Sequence, residues 1–283
     1  MKDYLDLTKP SITWLILMST AVGYFFGRQA GWDLVELLHT MLGTGLLASG
    51  TAALNQWYEW REDALMRRTQ HRPIPSGRVA PRRAFLFGTA LALAGFLELW
   101  WGVNPLSASL GLATLLSYLL LYTPLKKRSP VSTTVGAIPG AMPPLIGYAA
   151  ARGELTAEAW ALYAILFLWQ FPHFLAIAWM YRSDYARAGI RMLPVVEPDC
   201  RSTARQILWY SLLLIPASVL PGFLGMTGKA YLAGALVLSS LYFAAGWRAA
   251  VERTAARARA VLLASVVYLP LLYGLMVADR PGM

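Results

Sequence analysis

The sequence predicts an all-α polytopic membrane protein with about nine transmembrane helices, on three observations. Hydrophobic residues make up 57% of the 283-residue chain and charged residues only 14%, against about a quarter in soluble domains. Nine apolar runs each approach the roughly 20 residues that cross a bilayer: 10–27, 36–58, 84–102, 106–123, 131–150, 158–180, 206–225, 230–247 and 260–277. The basic residues between the runs alternate in density, as the positive-inside rule requires. With the N-terminus cytoplasmic, 21 of the 25 Lys and Arg fall on that side. Only Arg28, Arg152, Lys229 and Arg280 fall on the other, with the C-terminus. One helix more or fewer would scramble this alternation.

Other function classes are disfavoured by composition. The single Cys200 provides neither an internal disulfide nor a cysteine zinc site. A net charge of +10 would suggest nucleic acid in a soluble protein. Here it lies in loops between apolar runs and points to anionic lipid or an anionic substrate instead. The first run has no clear A-x-A cleavage site and eight more follow, so it reads as a span and not a signal peptide. With no soluble insert, residues 1–283 read as a single transmembrane domain.

Span 2 ends in "NQWYEWREDALMRRTQHRP". Asn55, Glu59 and Asp63 recur every fourth residue and stay within a helical arc of roughly 80°. All three can face one cavity at the cytoplasmic mouth. An amide and two carboxylates are oxygen ligands of the kind Mg²⁺ takes, usually together with phosphate oxygens. Arg61, Arg67, Arg68, Arg72 and Arg78 are suited to phosphate. The stretch therefore reads as a site for a metal-bound diphosphate. The simplest alternative is a solvated helix end, with Glu62 and Asp63 paired to Arg67. Asn55 argues against it, because a polar side chain within an apolar run is functional by default.

Further along, Glu98 at the outer end of span 3 reads as interfacial. His39 and His71 have no partner evident in sequence. Loop 4–5, "YTPLKKRSP", offers Lys126, Lys127 and Arg128 either as a third side of the anion site or as topology-setting charge. Span 5 contains "GAIPGAMPPLIG", which predicts a broken, closely packed helix. Span 6 carries Gln170, Pro172 and His173, and Pro172 predicts a kink. If the helix continued to Asp184, His173 and Asp184 would share a face roughly 16 Å apart. The alternatives are a helix–helix hydrogen bond for His173 and an aqueous ion pair with Arg182 or Arg187 for Asp184. Spans 7 to 9 show no chemistry and would complete the wall. Loops 2–3 and 6–7 each carry carboxylates and then Arg-x-x-Pro (Arg72–Pro75, Arg191–Pro194), which hints at a duplicated four-helix unit.

From "LTKPSITWLI" through "NQWYEWREDALMRRTQHRPIPSGR", "YTPLKKRSP" with "GAIPGAMPPLIGY", and "LWQFPHFLAIAW" with "DYARAGIRMLPV", the chain resembles the UbiA-type intramembrane prenyltransferases. "WQFPHF" and "DYARAGIRMLP" resemble the family's haem-farnesylating branch more than its 4-hydroxybenzoate or naphthoate enzymes. The resemblance implies a nine-helix UbiA-like bundle with a central cavity open to the cytoplasm and to lipid. It implies transfer of farnesyl from farnesyl diphosphate to a vinyl group of haem b, with Mg²⁺ and net addition of water. The product would be haem O, with haem A synthase as an expected partner and the lipid bilayer as the medium.

Carried over by position, Asn55, Glu59 and Asp63 match the first acidic motif and Asp184 the second, as metal ligands. Asn55, Asp63, Asp184 and Lys126 are then the catalytic set. Arg67, Arg68, Arg72, Lys127, Gln170, His173 and Tyr185 are the substrate-binding set, with His173 as the iron contact or porphyrin-positioning residue. Two departures stand out. Glu59 replaces the more usual Asp, and the second motif has one Asp184 followed by Tyr185, Ala186, Arg187 and Ala188. Lack of a long amphipathic Arg/Ser-rich leader predicts a bacterial inner membrane. Competing expectations are a sister enzyme with an aromatic acceptor, or a transporter or non-enzymatic haem-binding membrane protein. Against a transporter, the polar residues crowd one mouth and not the midplane.

Overall fold

The structure, a computed structural model, describes residues 1–28, 31 and 33–281. The chain divides into two compact units, Met1–Leu155 with Ala186–Ile190, and Thr156–Tyr185 with Arg191–Met283.

The first unit begins with α1 (Lys2–Leu7) and α2 (Pro10–Gly27), then α3 (Leu34–Tyr58) and the short α4 (Trp60–Leu65). Next come α5 (Pro81–Gly102) and α6 (Pro105–Leu116), which passes through a π-helical turn, Ser117–Tyr122, into α7 (Thr123–Leu125). It closes with α8 (Ser132–Gly140) and α9 (Pro143–Arg152). Proline in the first turn starts α2, α5, α6 and α9, where its missing N–H has no helical acceptor to lose. Asp33 caps α3 by accepting from Val35 and Glu36 N–H, and Asn104 caps α6 through Ser107 N–H.

Span 5 is broken, as its prolines predict. It stops at Gly140 and restarts at Pro143. Among the described residues, eight unbroken helical stretches are long and apolar enough to cross a membrane. The ninth expected span is the α8–α9 pair. Glycines let α9 lie backbone to backbone against α2. A Cβ on Gly147 would sit 1.9 Å from the Thr20 carbonyl oxygen, and one on Gly23 would sit 2.0 Å from that of Pro144. Close approach through small residues holds helices together where lipid removes the hydrophobic incentive.

The second unit contains α10 (Ala157–Met180), α11 (Arg182–Arg187), α12 (Leu193–Val196), α13 (Arg201–Phe223), α14 (Lys229–Glu252) and α15 (Ala255–Ala278). The α10 helix runs on through Pro172. It ends at Tyr181 (φ −107°, ψ 22°), where Tyr185 N–H still bonds the Tyr181 carbonyl (3.1 Å), so the continuous helix assumed between His173 and Asp184 is interrupted there. Spans 7 to 9 are more than a plain wall. Tyr231 Oη donates to the Ser218 carbonyl (2.6 Å), Ser218 Oγ meets Tyr268 Oη (2.5 Å), and Trp169 Nε1 donates to the Ser265 carbonyl (2.9 Å).

Candidate active site

The end of α3 is fixed by the backbone at Glu59 (φ −99°, ψ 12°), which closes one helix and opens the next. The break is small. Asp63 N–H still bonds the Glu59 carbonyl (2.8 Å), so Asn55, Glu59 and Asp63 keep their shared side. All three are buried; Asp63 is 1% exposed. Asn55 Nδ2 donates to Glu59 Oε2 at 2.9 Å.

Three cations reach this set from elsewhere in the chain. Lys126 Nζ donates to both Glu59 oxygens, at 2.8 and 3.0 Å, and lies 4.5 Å from the Tyr122 ring centre. The π-helical turn before it is a device frequent at functional sites. Arg72 Nη1 donates to Asp63 Oδ2 at 2.6 Å. The turn that delivers Arg72 is itself pinned, because Thr69 Oγ1 donates to the Asp63 carbonyl (2.9 Å) and Pro73 and Ile74 are buried.

The third cation, Lys9, was counted by sequence reasoning only as topology-setting charge. Its Nζ donates to Asn55 Oδ1 at 3.0 Å. Pro10 disfavours the right-handed helical region for Lys9, and Lys9 takes φ 48°, ψ 65°. Gln56 Nε2 anchors the preceding chain through the Asp6 and Leu7 carbonyls, at 3.2 and 3.0 Å. Only the juxtaposition "TKP", with a Lys just ahead of a helix-starting Pro, could have hinted at this placement.

The electrostatics follow. Burial pushes the Glu59 carboxyl up, but Lys126, Lys9 and the Asn55 amide outweigh it and hold the group below its ordinary value. Burial also opposes charge on Lys126, yet Glu59 keeps that ammonium well above its usual range. Lys9 goes the other way. Burial, reinforced by Arg72, brings it down to about 7 despite the pull of Glu59.

The remaining predicted residues are distributed as follows. Lys127 pairs with Glu62, so the expected pairing of Glu62 and Asp63 with Arg67 is replaced by Lys127 and Arg72. Arg67 and Arg68 are exposed on the turn. In the second unit, Gln170 and Asp184 are buried, Tyr185 is half-buried, and His173 bonds Ser265 Oγ through Nδ1 at 2.7 Å. His39, which has no partner evident in sequence, pairs at 2.6 Å with Glu98, which reads as interfacial in sequence. They line a cavity of about 550 Å³ with Asp33, Glu36 and Trp101 at the opposite end of α3 from Asn55. Among the described residues, no three His, Cys, Asp or Glu side chains gather as a metal-binding group. The first motif offers two carboxylates and an amide.

Buried carboxylates and cations thus gather at the end of an apolar helix, a setting suited to an anionic ligand at a membrane face. The model of the UbiA prenyltransferase family matches residues 16–269, and the chain belongs to that family. It is 64% identical, over 100% of both chains, to protoheme IX farnesyltransferase from Solibacter usitatus (strain Ellin6076). The fold is also that of solved chains of low identity. One, from work on digeranylgeranylglyceryl phosphate synthase in membranes, has a TM-score of 0.82 at 16% identity, covering 98% of this chain and 97% of that one. Another is a UbiA homologue from Archaeoglobus fulgidus bound to DMAPP and Mg²⁺, with a TM-score of 0.66 at 16% identity and 98% coverage of each chain.

Proposed function

We propose that this protein transfers the farnesyl group of farnesyl diphosphate to a vinyl group of haem b, giving haem O. The observation that carries the reading is the buried set Asn55, Glu59 and Asp63, interleaved with Lys9, Lys126 and Arg72. The naming of the relative at 64% identity supports haem as acceptor over an aromatic acid.

The oxygen-only donors fit Mg²⁺, which takes one or two carboxylates together with substrate phosphate. Charge supports the fit as well. Three cations already face two carboxylates, which leaves little net positive charge for a diphosphate. Asn55, Glu59 and Asp63 would hold the ion in the first unit, and Asp184 carries the second motif's carboxylate in the second. When bound, the metal neutralises charge on the leaving diphosphate. The Archaeoglobus homologue bound to DMAPP and Mg²⁺ accords with this.

Lys126, Lys9 and Arg72 then stabilise the charge that develops as the farnesyl C1–O bond breaks and its electron pair leaves with diphosphate. Arg67, Arg68 and Lys127 contribute cations at the mouth. Exclusion of water protects the allylic cation until the vinyl π pair forms the new C–C bond. The resulting porphyrin-side cation takes hydroxide from water and a proton is released, so the net change is farnesyl plus hydroxyl on the former vinyl group. His173 contacts the haem iron, and Gln170 and Tyr185 line its approach.

Residues 1–283 act as one prenyltransferase domain with a weak internal repeat. In support, α3 and α10 end at similar backbone angles, at Glu59 and Tyr181, and each is followed by a six-residue helix carrying Asp63 or Asp184. The charge asymmetry supports a cytoplasmic N-terminus and site mouth, and the bacterial relative supports a bacterial inner membrane. A haem A synthase is the partner suited to take the product onward.

The test is acceptor identity. Purified protein given farnesyl diphosphate, Mg²⁺ and either haem b or 4-hydroxybenzoate should yield the mass of haem O and no prenylated benzoate. Prenylated benzoate without haem O would overturn the reading.

A further inference from the structure

The imidazole of His173 is held by a serine on α15. His173 Nδ1 lies 2.7 Å from Ser265 Oγ. That hydroxyl already donates to the Leu262 carbonyl at 2.5 Å. With its one hydroxyl proton directed to Leu262, Ser265 accepts from the ring, which places the hydrogen on Nδ1. The neutral ring is thereby fixed as the Nδ1–H tautomer, with its lone pair on Nε2.

Ring orientation is fixed through the same residue. Trp169, one turn before His173, stacks on the imidazole with centres 4.9 Å apart and planes 22° apart. Trp169 is itself tied to Ser265, because its Nε1–H donates to the Ser265 carbonyl at 2.9 Å. Tyr242 on α14 secures the same turn by donating to the Trp169 carbonyl at 3.3 Å. Ser265 therefore sets both the tautomer of the histidine and the tilt of the indole against it. His173 keeps partial exposure while Trp169 and Ser265 are buried. The Nδ1 bond joins α10 to α15, the helix–helix role that the sequence allowed for His173, and leaves the Nε2 lone pair for another partner.

We propose that Ser265 is a positioning residue that presents His173 Nε2 to the iron of the haem substrate. Histidines that bind metal through one nitrogen characteristically donate the other N–H to a neighbouring acceptor, which orients the ring and raises its basicity. The inference rests on the reading of His173 as the iron contact, and its test separates the two.

Haem b is titrated into the full-length detergent-solubilised wild type and into His173→Ala, Ser265→Thr and Ser265→Val. Affinity is read from the Soret band, and ligation from the Fe–His stretch of the ferrous complex. Threonine keeps the hydroxyl, and valine is its isostere without one, so the pair isolates the hydrogen bond from packing. Loss of the Fe–His stretch in His173→Ala is expected. Ser265→Val should weaken haem binding by about 10- to 100-fold and shift the stretch to lower frequency, while Ser265→Thr stays near wild type. If His173→Ala keeps the wild-type stretch, the iron contact is wrong and the inference falls with it. If His173→Ala loses the stretch but Ser265→Val matches Ser265→Thr in affinity and frequency, the histidine reading stands and the role of Ser265 is overturned.

Discussion

The Lys9 ammonium lies 3.0 Å from Asn55 Oδ1 across 46 residues of sequence, while the amide nitrogen of Asn55 donates to Glu59 at 2.9 Å. Asn55 is thus oriented from both ends, with its oxygen toward a cation and its nitrogen toward a carboxylate. A metal ion that takes Asn55 Oδ1 must compete with Lys9 for it.

Replacing Asn55 or Asp63 by Ala should lower kcat for haem O formation by about 10²- to 10³-fold, the usual effect of losing one aimed electrostatic contact. Both variants should still fractionate with the membrane. Wild-type turnover in either would remove that residue from the metal set.

Lys9 gives stability a specific pH dependence. Its folded value is about 7, against an ordinary 10.5. Below about 7 both folded and unfolded chains carry the charge, and the folded state bears the full burden of desolvating it. That burden lifts as pH rises from about 7 toward 10.5. The unfolding temperature of wild type relative to Lys9→Met, in metal-free detergent solution, should therefore climb across this window. A flat difference would contradict the buried ammonium.

Glu59 and Lys126, unlike Lys9, are both held toward their charged forms. With its carboxyl held below the ordinary value, Glu59 contributes stability that is present above its unfolded value and lost as pH falls through the folded one. Lys126→Met strands a buried carboxylate and should cost about 3–5 kcal/mol. Adding Glu59→Gln should recover part of that loss. Denaturant unfolding of the two single variants and the double measures the coupling, and simple additivity would show that the pair is not coupled.

Packing of the broken span is testable by a methyl group. Gly147→Ala puts a carbon against the Thr20 carbonyl and should destabilise by about 1–3 kcal/mol or more. Gly274→Ala, where a Cβ meets nothing within 4 Å, should be tolerated. Equal unfolding temperatures for the two variants would argue against the close α2–α9 contact.

The parts legible in the sequence are those encoded by local periodicity. Apolar run length located the helices, and of Pro139, Pro143 and Pro144, which predict the break in span 5, Pro143 and Pro144 lie at it while Pro139 stays inside α8; the four-residue spacing of Asn55, Glu59 and Asp63 survived the backbone break at Glu59. The contacts missed are those set by distant chain. Helical spacing favoured Arg67 for Asp63, but the turn through Thr69 brings Arg72 instead. Lys9 resembled any juxtamembrane cation, Glu98 any interfacial carboxylate, and Ser265 any small residue in an apolar helix. None of these has a local pattern, because the partner lies 46, 59 or 92 residues away.

The most direct measurement is haem O formation by the purified protein from haem b and farnesyl diphosphate, followed by mass, with Mg²⁺, with EDTA, and with Mg²⁺ restored in excess. The site described here predicts product with Mg²⁺, none with EDTA, and recovery on restoration. Undiminished product in EDTA would contradict a metal held by Asn55, Glu59 and Asp63.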